Sequence, residues 1–355
     1  MRRFFAIFGR KFRIPAIIAY IWGIIPTPMY LVILPSVAGR QLPFFLAAEE
    51  WIATHMPDDK SYFFAWQVAP TVICGRNQDM AAEVDLDFCR EHDIEVWRRK
   101  SGGGAVYADG NNIMFSYVGP RTSVQDAFDI YTSKVVTALR SLGLDATASG
   151  RNDICIGDRK VAGNAFMQAA DRNIVHGTML FDADTATMSQ ALTPARAKLE
   201  SNKVKSVPAR ITTIRRHRPD LTLGQFMECV ISHVCDSGSI SIPAAALPEI
   251  EAIERTYRRR EFLMDGKTHS GRQTGRIHSA GTVNPCVTIC DGIIQNVRIE
   301  GDFFCGDQLA QTLASLRGMP PDITHIRKIL GEETLIAGLS NAVSYTHLRA
   351  HETTL

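Results

Sequence analysis

The strongest chemical signal in the sequence is a run of three glycines, Gly102 to Gly104, between two predicted strands. Glycine weakens a sheet, but it permits positive φ and lets backbone approach a ligand closely. Arg98, Arg99 and Lys100 come directly before the run, and their charge suits a phosphate. The segment predicts a loop that holds an anionic ligand, with a plain glycine-rich hairpin as the alternative. It matches neither a Walker A loop nor the dinucleotide-binding GxGxxG pattern.

A second group of polar residues lies in two predicted strands further along the chain. Asn152 and Asp153 stand at the start of one strand, where their oxygens can cap backbone or coordinate a hard cation. Lys160 lies in an otherwise apolar strand, and taken alone it is typical of a turn or of a lysine whose ammonium reaches solvent. His176 lies in a further strand, and a single histidine in such a place is more often a satisfied core residue than a ligand.

Two helices with clear apolar periodicity frame these segments. Residues 43–55 begin with proline in the first turn, and residues 123–142 begin after Ser123, a suitable cap, and end at Gly143. The stretches between and after them alternate as short strands separated by turn signals. Near the carboxyl end, Asp291-Gly292 joins two strands as a hairpin turn.

The composition is that of a globular protein with an ordinary core. The 355 residues include 39 Lys plus Arg and 37 Asp plus Glu, so the net charge of +2 provides no basic field for nucleic acid. The eight cysteines form no CxxC pair and no zinc-site spacing, and several lie in apolar runs. This pattern indicates reduced core cysteines and a cytoplasmic protein.

Both ends of the chain differ from the rest. Five basic residues precede an uncharged stretch from Ile14 to Ala38, which four prolines interrupt. Residues 1–28 are therefore expected to lie outside the folded enzyme, with a membrane anchor as the alternative. Residues 341–355 have no clear period, and we expect them to be a non-native tail.

Taken in order, these segments resemble the lipoate–protein ligase family, whose superfamily also contains biotin ligases and octanoyl transferases. The resemblance runs from about Met29 to Cys235 and is weaker beyond, in NVRIEGDFF. The matching pieces are LPFFLAAEEW, AWQVAPTVICGRNQ, RRKSGGGAVYADGNNIMFSY, SGRNDICIGDRKVAGNAF, HGTMLFDAD and KSVPARITT. Their joint occurrence at family-like spacing outweighs the alternatives that each segment leaves open by itself.

The resemblance implies an α+β fold, with a mixed β-sheet catalytic domain flanked by helices and a small α+β accessory domain. We expect the catalytic domain over residues 29–235, a linker over 236–249 and the accessory domain over 250–340. The resemblance also implies a reaction in which lipoate or octanoate is activated with ATP and Mg²⁺ as an acyl-adenylate. The acyl group then passes to a lysine of a lipoyl carrier, either an E2 subunit of a 2-oxoacid dehydrogenase or the glycine cleavage H protein.

The resemblance further implies roles for individual residues. Lys160 would contact both the acyl carboxylate and the α-phosphate, and Asp153 would hold Mg²⁺. The nucleotide and adenylate would be held by Arg99, Gly102, Gly103, Gly104, Ala105, Val106, Tyr107, Asn152, Asp153, Lys160 and Arg210. The acyl pocket would be lined by Trp66, Ser101, Gly103, Lys160 and His176.

Several positions depart from the family pattern and keep other functions open. Ala108 and Val175 stand where many members have histidine, and Ala162 and Asn164 stand where they have serine. One alternative is a transferase that carries the acyl group as a thioester on Cys155, although inward packing of this residue is the more ordinary interpretation. Another is a non-catalytic acyl-binding homologue, and biotin ligation is a further possibility within the superfamily.

Overall fold

The computed structural model describes residues 27–150, 152–193, 210–264, 275–277, 281–306, 308–330 and 335–337. The terminal segments 1–26 and 338–355 lie outside this range, so the predictions for the amino-terminal extension and the tail are not addressed by it. No helix in the described part combines the length and apolar character needed to cross a bilayer.

The strands of the described residues are β1 (Met29–Ile33), β2 (Ser61–Trp66), β3 (Thr71–Cys74), β4 (Glu95–Arg98), β5 (Val106–Ala108), β6 (Ile113–Pro120), β7 (Ala146–Ser149), β8 (Asp153–Ile156), β9 (Arg159–Ala169), β10 (Arg172–Met179), β11 (Ser239–Ser241), β12 (Gly275–Ile277), β13 (Gly281–Cys290) and β14 (Ile293–Gly301). The helices are α1 (Leu42–His55), α2 (Met80–Glu83), α3 (Leu86–Glu91), α4 (Val124–Ser141), α5 (Thr185–Ala191), α6 (Ile214–His217), α7 (Leu223–Val234), α8 (Leu247–Tyr257), α9 (Arg260–Leu263), α10 (Gln308–Ser315) and α11 (Ile323–Leu330).

A large mixed sheet forms the centre of the fold, with strand order β11-β1-β2-β6-β10-β9-β8-β7. The two neighbours of β1 run parallel to it, whereas the remaining pairs are antiparallel. A smaller sheet of order β4-β3-β5 lies apart from it. This arrangement confirms the predicted mixed sheet with flanking helices.

Helices cover both faces of the large sheet, and the alternation of residues in β2 shows why. Tyr62, Phe64 and Trp66 belong to the hydrophobic cluster that contains α1, whereas Phe63 belongs to the cluster that contains α4 and α7. Successive residues of a strand point to opposite faces, so a strand with apolar residues on both faces must be covered on both. The large sheet is therefore the middle layer between these helices.

The first helix is buried on nearly all sides, which its sequence explains. Eleven of the fourteen residues of α1 are buried, and they include the charged Glu49. A helix that is apolar all round must be covered all round. The sheet covers one side of α1, and Ile250 and Tyr257 of α8 belong to the same cluster on the other.

The segment for which the sequence predicts a linker, 236–249, instead completes the large sheet. Within it, β11 adds in parallel to β1, with Ile240 opposite Val32, and α8 begins at Leu247. A three-residue edge strand has too few positions to show a periodicity. Its hydrogen bonds also depend on a partner about two hundred residues away in the chain, so local sequence does not reveal it.

The carboxyl-terminal strands form a separate antiparallel sheet of order β12-β13-β14. This sheet and α10 share a small hydrophobic cluster that includes Val297, Phe303 and Leu313. The predicted hairpin turn is confirmed, because Asp291 and Gly292 both have positive φ, as a two-residue turn between β13 and β14 requires. The structure thus contains the predicted small α+β unit.

Candidate active site

A cavity of about 280 Å³ lies between the large and small sheets, with α1 contributing to its wall. Most residues predicted for the site line it: Trp66, Arg99, Gly103, Gly104, Ala105, Val106, Tyr107, Asn152, Asp153, Lys160, His176 and Arg210. Ser101 and Gly102 do not line it, but Ser101 contacts His176, which does. The cavity also includes Asn164, one of the departures from the family pattern, and residues that the sequence did not indicate, among them Leu42, Leu46, Thr178 and Phe304.

Lys160 reaches the cavity from the start of β9, where the backbone is irregular. A register shift between Ile154 and Cys155 of the neighbouring strand breaks the regular pairing beside it. The backbone N–H of Lys160 donates to the Arg210 carbonyl oxygen at 2.9 Å, which places Arg210 at the same wall of the cavity. The Lys160 ammonium lies 2.7 Å from the Asp153 carboxylate and is only partly buried. A fixed, partly exposed cation of this kind is suited to a mobile anionic group.

Gly163 makes room for the Lys160 side chain. A Cβ at this position would lie 2.5 Å from Lys160 Nζ and 2.7 Å from its Cε, which is closer than van der Waals contact allows. The glycine therefore determines where the lysine can lie.

Asn152 and Asn164 tie the start of β8 to β9. The Asn164 side-chain amide donates to the Asn152 carbonyl oxygen at 2.8 Å, and the Asn152 amide donates to the Asn164 carbonyl oxygen. The backbone N–H of Asn164 donates to the same Asn152 oxygen at 3.0 Å. Asn164, which departs from the family's serine, thus fixes the loop that carries Asn152 and Asp153.

Arg99 shapes the glycine-rich loop from behind. Its guanidinium donates to the carbonyl oxygens of Ile73, Gly102 and Gly104 at 3.0, 2.7 and 2.9 Å, and the residue is 4% exposed. Burial lowers the pKa of Arg99 to about 10, so the group stays charged near neutral pH. The cation therefore holds the loop backbone in one conformation.

Arg98 and Lys100, the two neighbours of Arg99, also form hydrogen bonds with protein groups. The sequence had led us to expect that all three cations would contact a phosphate. Arg98 donates to the carbonyl oxygens of Gly75 and Gln78 at 3.1 and 2.8 Å. Lys100 donates to both carboxylate oxygens of Glu50 at 2.8 Å. Buried cations need such partners, and sequence alone does not reveal which carbonyls they meet.

Glycine is required in the loop because backbone contacts backbone there. A Cβ on Gly75 would lie 2.0 Å from the Gly103 carbonyl oxygen, and one on Gly102 would lie 2.1 Å from that of Phe303. Gly103 itself has a φ of +91°. Gly75 and Gly102 thus permit close backbone contacts that a side chain would prevent, and Gly103 permits a backbone conformation that other residues rarely adopt.

A buried chain of hydrogen bonds runs from the loop to the apolar wall of the cavity. Ser101 Oγ lies 2.7 Å from His176 Nε2, and His176 Nδ1 lies 2.7 Å from the Glu49 carboxylate. Ser116 donates to the other Glu49 oxygen and accepts from the Trp66 indole N–H at 2.8 Å. His176 is therefore both a satisfied core residue and part of the cavity wall. Sequence analysis missed Glu49, although an acidic residue in an otherwise apolar helix was the available signal.

Cys155, the residue on which a thioester route would depend, does not line the cavity. It is half-buried, and burial, followed by the nearby Asp153 carboxylate, raises the pKa of its thiol. A nucleophilic cysteine needs the opposite, an electropositive and accessible setting that lowers its pKa.

Two family profiles match most of the described chain. The profile described as lipoyl protein ligase A/B catalytic domain matches residues 42–235, and that described as bacterial lipoate protein ligase C-terminus matches residues 270–342. A probable lipoate-protein ligase A of Mycoplasma pneumoniae is 30% identical over 82% of this chain and 89% of its own length. Lipoate–protein ligase 1 of Staphylococcus aureus is 30% identical over 82% of this chain and 90% of its own length.

Solved structures share the fold at lower identity. P. falciparum LipL1 in complex with lipoate aligns over 92% of this chain and 99% of its own, with a TM-score of 0.72 and 20% identity. A lipoate-protein ligase A bound with ATP aligns over 68% and 100%, with a TM-score of 0.56 and 24% identity. A bipartite lipoate protein ligase from Thermoplasma acidophilum, described with its E2 lipoyl domain, aligns over 69% and 99%, with a TM-score of 0.58 and 24% identity. The chain belongs to the lipoate–protein ligase family.

Proposed function

We propose that this protein is an ATP-dependent lipoate–protein ligase, which activates lipoate as an adenylate and transfers the acyl group to a lysine of a carrier domain. The observation that carries the proposal is a single cavity that combines apolar walls with a fixed lysine. Family membership supports the reaction class, and relatives of the same fold have been solved with lipoate and with ATP.

The apolar part of the cavity suits the acyl chain. Leu42 and Leu46 of α1, together with Trp66 and Met114 of the large sheet, line it. A ligand pocket typically has such a predominantly apolar wall with a few placed polar groups. These side chains would bury the hydrocarbon and ring of lipoate and leave its carboxylate toward the polar residues.

In the first step, a carboxylate oxygen of lipoate attacks the α-phosphorus of ATP, and pyrophosphate leaves. Both reactants are negative, so cations must offset their repulsion. Lys160 would contact the carboxylate and the α-phosphate, with Arg210 nearby at the same wall. The backbone of Gly103 and Gly104, held by Arg99, would approach the nucleotide.

The residues present fit a Mg²⁺ ion that is shared with the nucleotide. Asp153 contributes a carboxylate to the cavity wall, and the described residues contain no group of three or more His, Cys, Asp or Glu side chains able to bind a metal. Magnesium is commonly held by one or two carboxylates together with substrate phosphates. Asp153 would therefore hold the ion, which offsets phosphate charge when it is bound.

In the second step, the amine of a carrier lysine attacks the acyl carbon, AMP leaves and the amine loses a proton. The adenylate is already activated, so positioning of the amine suffices and no enzyme nucleophile is required. An E2 lipoyl domain is the proposed carrier, since one solved relative is described with such a domain, and the H protein is a further candidate. A cytoplasmic location is part of the proposal, supported by eight free cysteines.

The departures from the family pattern are compatible with activity. Ala108, Ala162 and Val175 are buried in hydrophobic clusters and do not line the cavity. Their apolar side chains fill core positions, so the loss of donors there leaves the cavity wall unchanged. This favours an active ligase over a non-catalytic binder.

Intact-mass spectrometry of a lipoyl carrier domain tests the proposal. The full chain is incubated with the carrier, lipoate and Mg²⁺, with and without ATP, and a carrier whose acceptor lysine is replaced by arginine serves as control. A lipoyl adduct that requires both ATP and the lysine is expected. An adduct formed from an acyl-carrier donor without ATP would instead indicate a transferase, and no adduct under either condition would indicate a binder.

A further inference from the structure

Three side chains from three elements meet behind the glycine-rich loop. Lys100 Nζ lies 2.8 Å from both carboxylate oxygens of Glu50, and the Tyr257 hydroxyl donates to one of those oxygens. Lys100 Nζ also lies 4.5 Å from the centre of the Tyr257 ring. Each member of this Glu50–Lys100–Tyr257 cluster therefore contacts the other two.

The three side chains of the cluster are largely shielded from solvent, so their contacts hold them in a defined arrangement. Tyr257 is 1% exposed, and the side chains of Glu50 and Lys100 are 17% and 27% exposed. Ion pairs held in two-point geometry and partly removed from water lose more on truncation than exposed pairs do. Burial, reinforced by Glu50, raises the pKa of Tyr257 well above its usual range. The phenol thus keeps its proton and remains a donor to the carboxylate.

The position of Lys100 in the chain connects the cluster to the loop. Lys100 lies between Arg99, which holds the loop carbonyl oxygens, and Ser101, which contacts His176. On the other side of Arg99, Arg98 Nε donates to the Leu263 carbonyl oxygen at 3.2 Å. Residues 247–264 therefore fix the chain both before and after Arg99.

This segment falls between the residues that the two family profiles match, which end at 235 and resume at 270. The matches therefore assign it no role. Tyr257 of α8 and Leu263 of α9 contact Lys100 and Arg98, so these two helices help to hold the chain that leads into the glycine-rich loop.

We infer that Glu50, Lys100 and Tyr257 form a positioning unit that sets the glycine-rich loop for ATP during adenylation; this inference rests on the proposed function. None of the three lines the cavity, so they act through Arg99 and the loop backbone rather than by touching substrate. Loosening the unit should weaken ATP binding more than lipoate binding, because Gly102, Gly103 and Gly104 are all predicted to hold the nucleotide, whereas Leu42, Leu46, Trp66 and Met114 of the apolar wall lie outside the loop.

Tyr257→Phe tests the inference by removing only the hydroxyl. We expect the KM for ATP in lipoate-dependent ATP–pyrophosphate exchange to rise about tenfold, the usual scale for one hydrogen bond to a charged group. The KM for lipoate should change less than about twofold, because most of the apolar wall that would bury its hydrocarbon is formed by residues outside the loop. Tyr62→Phe is the matched control, since this buried hydroxyl donates to the Pro57 carbonyl oxygen at 2.9 Å, away from the loop.

Lys100 variants provide an independent measurement. Lys100→Met should raise the KM for ATP to a similar extent, and Lys100→Arg, which keeps the two-point contact with Glu50, should largely restore it. The double variant Tyr257→Phe, Lys100→Met should be no worse than the worse single variant, because both changes release the same carboxylate.

An unchanged KM for ATP in Tyr257→Phe, or an equal rise in Tyr62→Phe, would overturn the positioning role while leaving the ligase function intact. Additive effects in the double variant would also contradict it. Absence of lipoate-dependent exchange in the unmodified chain would overturn the proposed function, and the inference with it.

Discussion

At the scale of single residues, the central arrangement is a lysine whose place is set by a glycine on the same strand. Gly163→Ala would put a methyl group 2.5 Å from Lys160 Nζ. Because that atom ends a flexible side chain, the lysine can move away at little cost in folding. We expect a change in the free energy of unfolding of about 1 kcal/mol or less and a loss of adenylation of about tenfold or more.

The matched control is Gly224→Ala in α7, where a Cβ would meet nothing within 4 Å. Pyrophosphate exchange and thermal unfolding of both variants check the prediction. Full activity of Gly163→Ala would show that the position of Lys160 does not matter to the first step.

Cys155→Ser separates the ligase from a thioester transferase. The residue lies outside the cavity wall and burial raises the pKa of its thiol, so we expect carrier modification to be nearly unchanged. The measurement is the rate of lipoyl transfer, followed by intact mass. Trapping an acyl thioester on Cys155 would contradict the proposal.

Residue type and spacing predicted well which side chains line the cavity. They predicted less well which groups each side chain contacts there. Lys160, His176 and Arg99 were predicted and all line it, but the hydrogen bonds of Arg99 to the loop carbonyl oxygens were not foreseen. The partners of a buried cation are backbone groups that fold close to it, and these have no sequence signature. Glu49 was missed for the same reason, because its partners come from distant strands.

At the scale of elements, the glycine-rich loop between β4 and β5 depends on contact with the accessory unit. Gly103 N–H donates to the Phe303 carbonyl oxygen at 3.3 Å, and Gly102 lies directly against the same oxygen. Gly102→Ala would place its Cβ 2.1 Å from that backbone atom, which cannot yield as a side chain does. Displacing the loop by about 1 Å is expected to reduce adenylation roughly 100-fold.

Gly110→Ala, in the turn after β5, is the control, because a Cβ there would meet nothing within 4 Å. Exchange rates of the two variants, compared at saturating ATP and lipoate, check the prediction. Equal activity of the two would mean that the loop does not need its contact with Phe303.

Elements with a strong local signal were predictable, and those defined by distant partners were not. The apolar run that became α1, the Ser123 cap of α4 and the Asp291-Gly292 turn are all confirmed by the structure. The edge strand β11 was not foreseen, because its pairing with β1 joins two ends of the domain. Local patterns encode helices, caps and turns, whereas a short parallel edge strand needs its neighbour to be recognised.

At the scale of the whole molecule, the accessory unit contributes to the wall of the cavity. Phe304 lines the cavity and packs 5.3 Å from Phe128 of α4, centre to centre. It belongs to the hydrophobic cluster of the catalytic domain rather than to that of its own unit. Both the large-sheet part of the fold and the accessory unit therefore contribute side chains to the cavity wall.

Removing residues 1–26 should leave ligation unchanged. The described sheet begins with β1, and the Met29 N–H donates to Asp236 at 2.8 Å, a bond that a chain starting at residue 27 retains. We expect activity within about twofold of the full chain, because the sequence predicts that residues 1–28 lie outside the folded enzyme. Carrier lipoylation by both chains is the measurement, and an inactive or insoluble shortened chain would show that the extension belongs to the enzyme.

If lipoate is activated at Lys160, lipoate-dependent ATP–pyrophosphate exchange measures that step without a carrier. The unmodified chain should catalyse exchange only when lipoate is present. Lys160→Ala should reduce it about 100-fold or more, as expected when a cation that stabilises the transition state is lost, whereas the exposed neighbour Arg159→Ala should leave it nearly unchanged. Exchange at the unmodified rate in a folded Lys160→Ala protein would contradict the account.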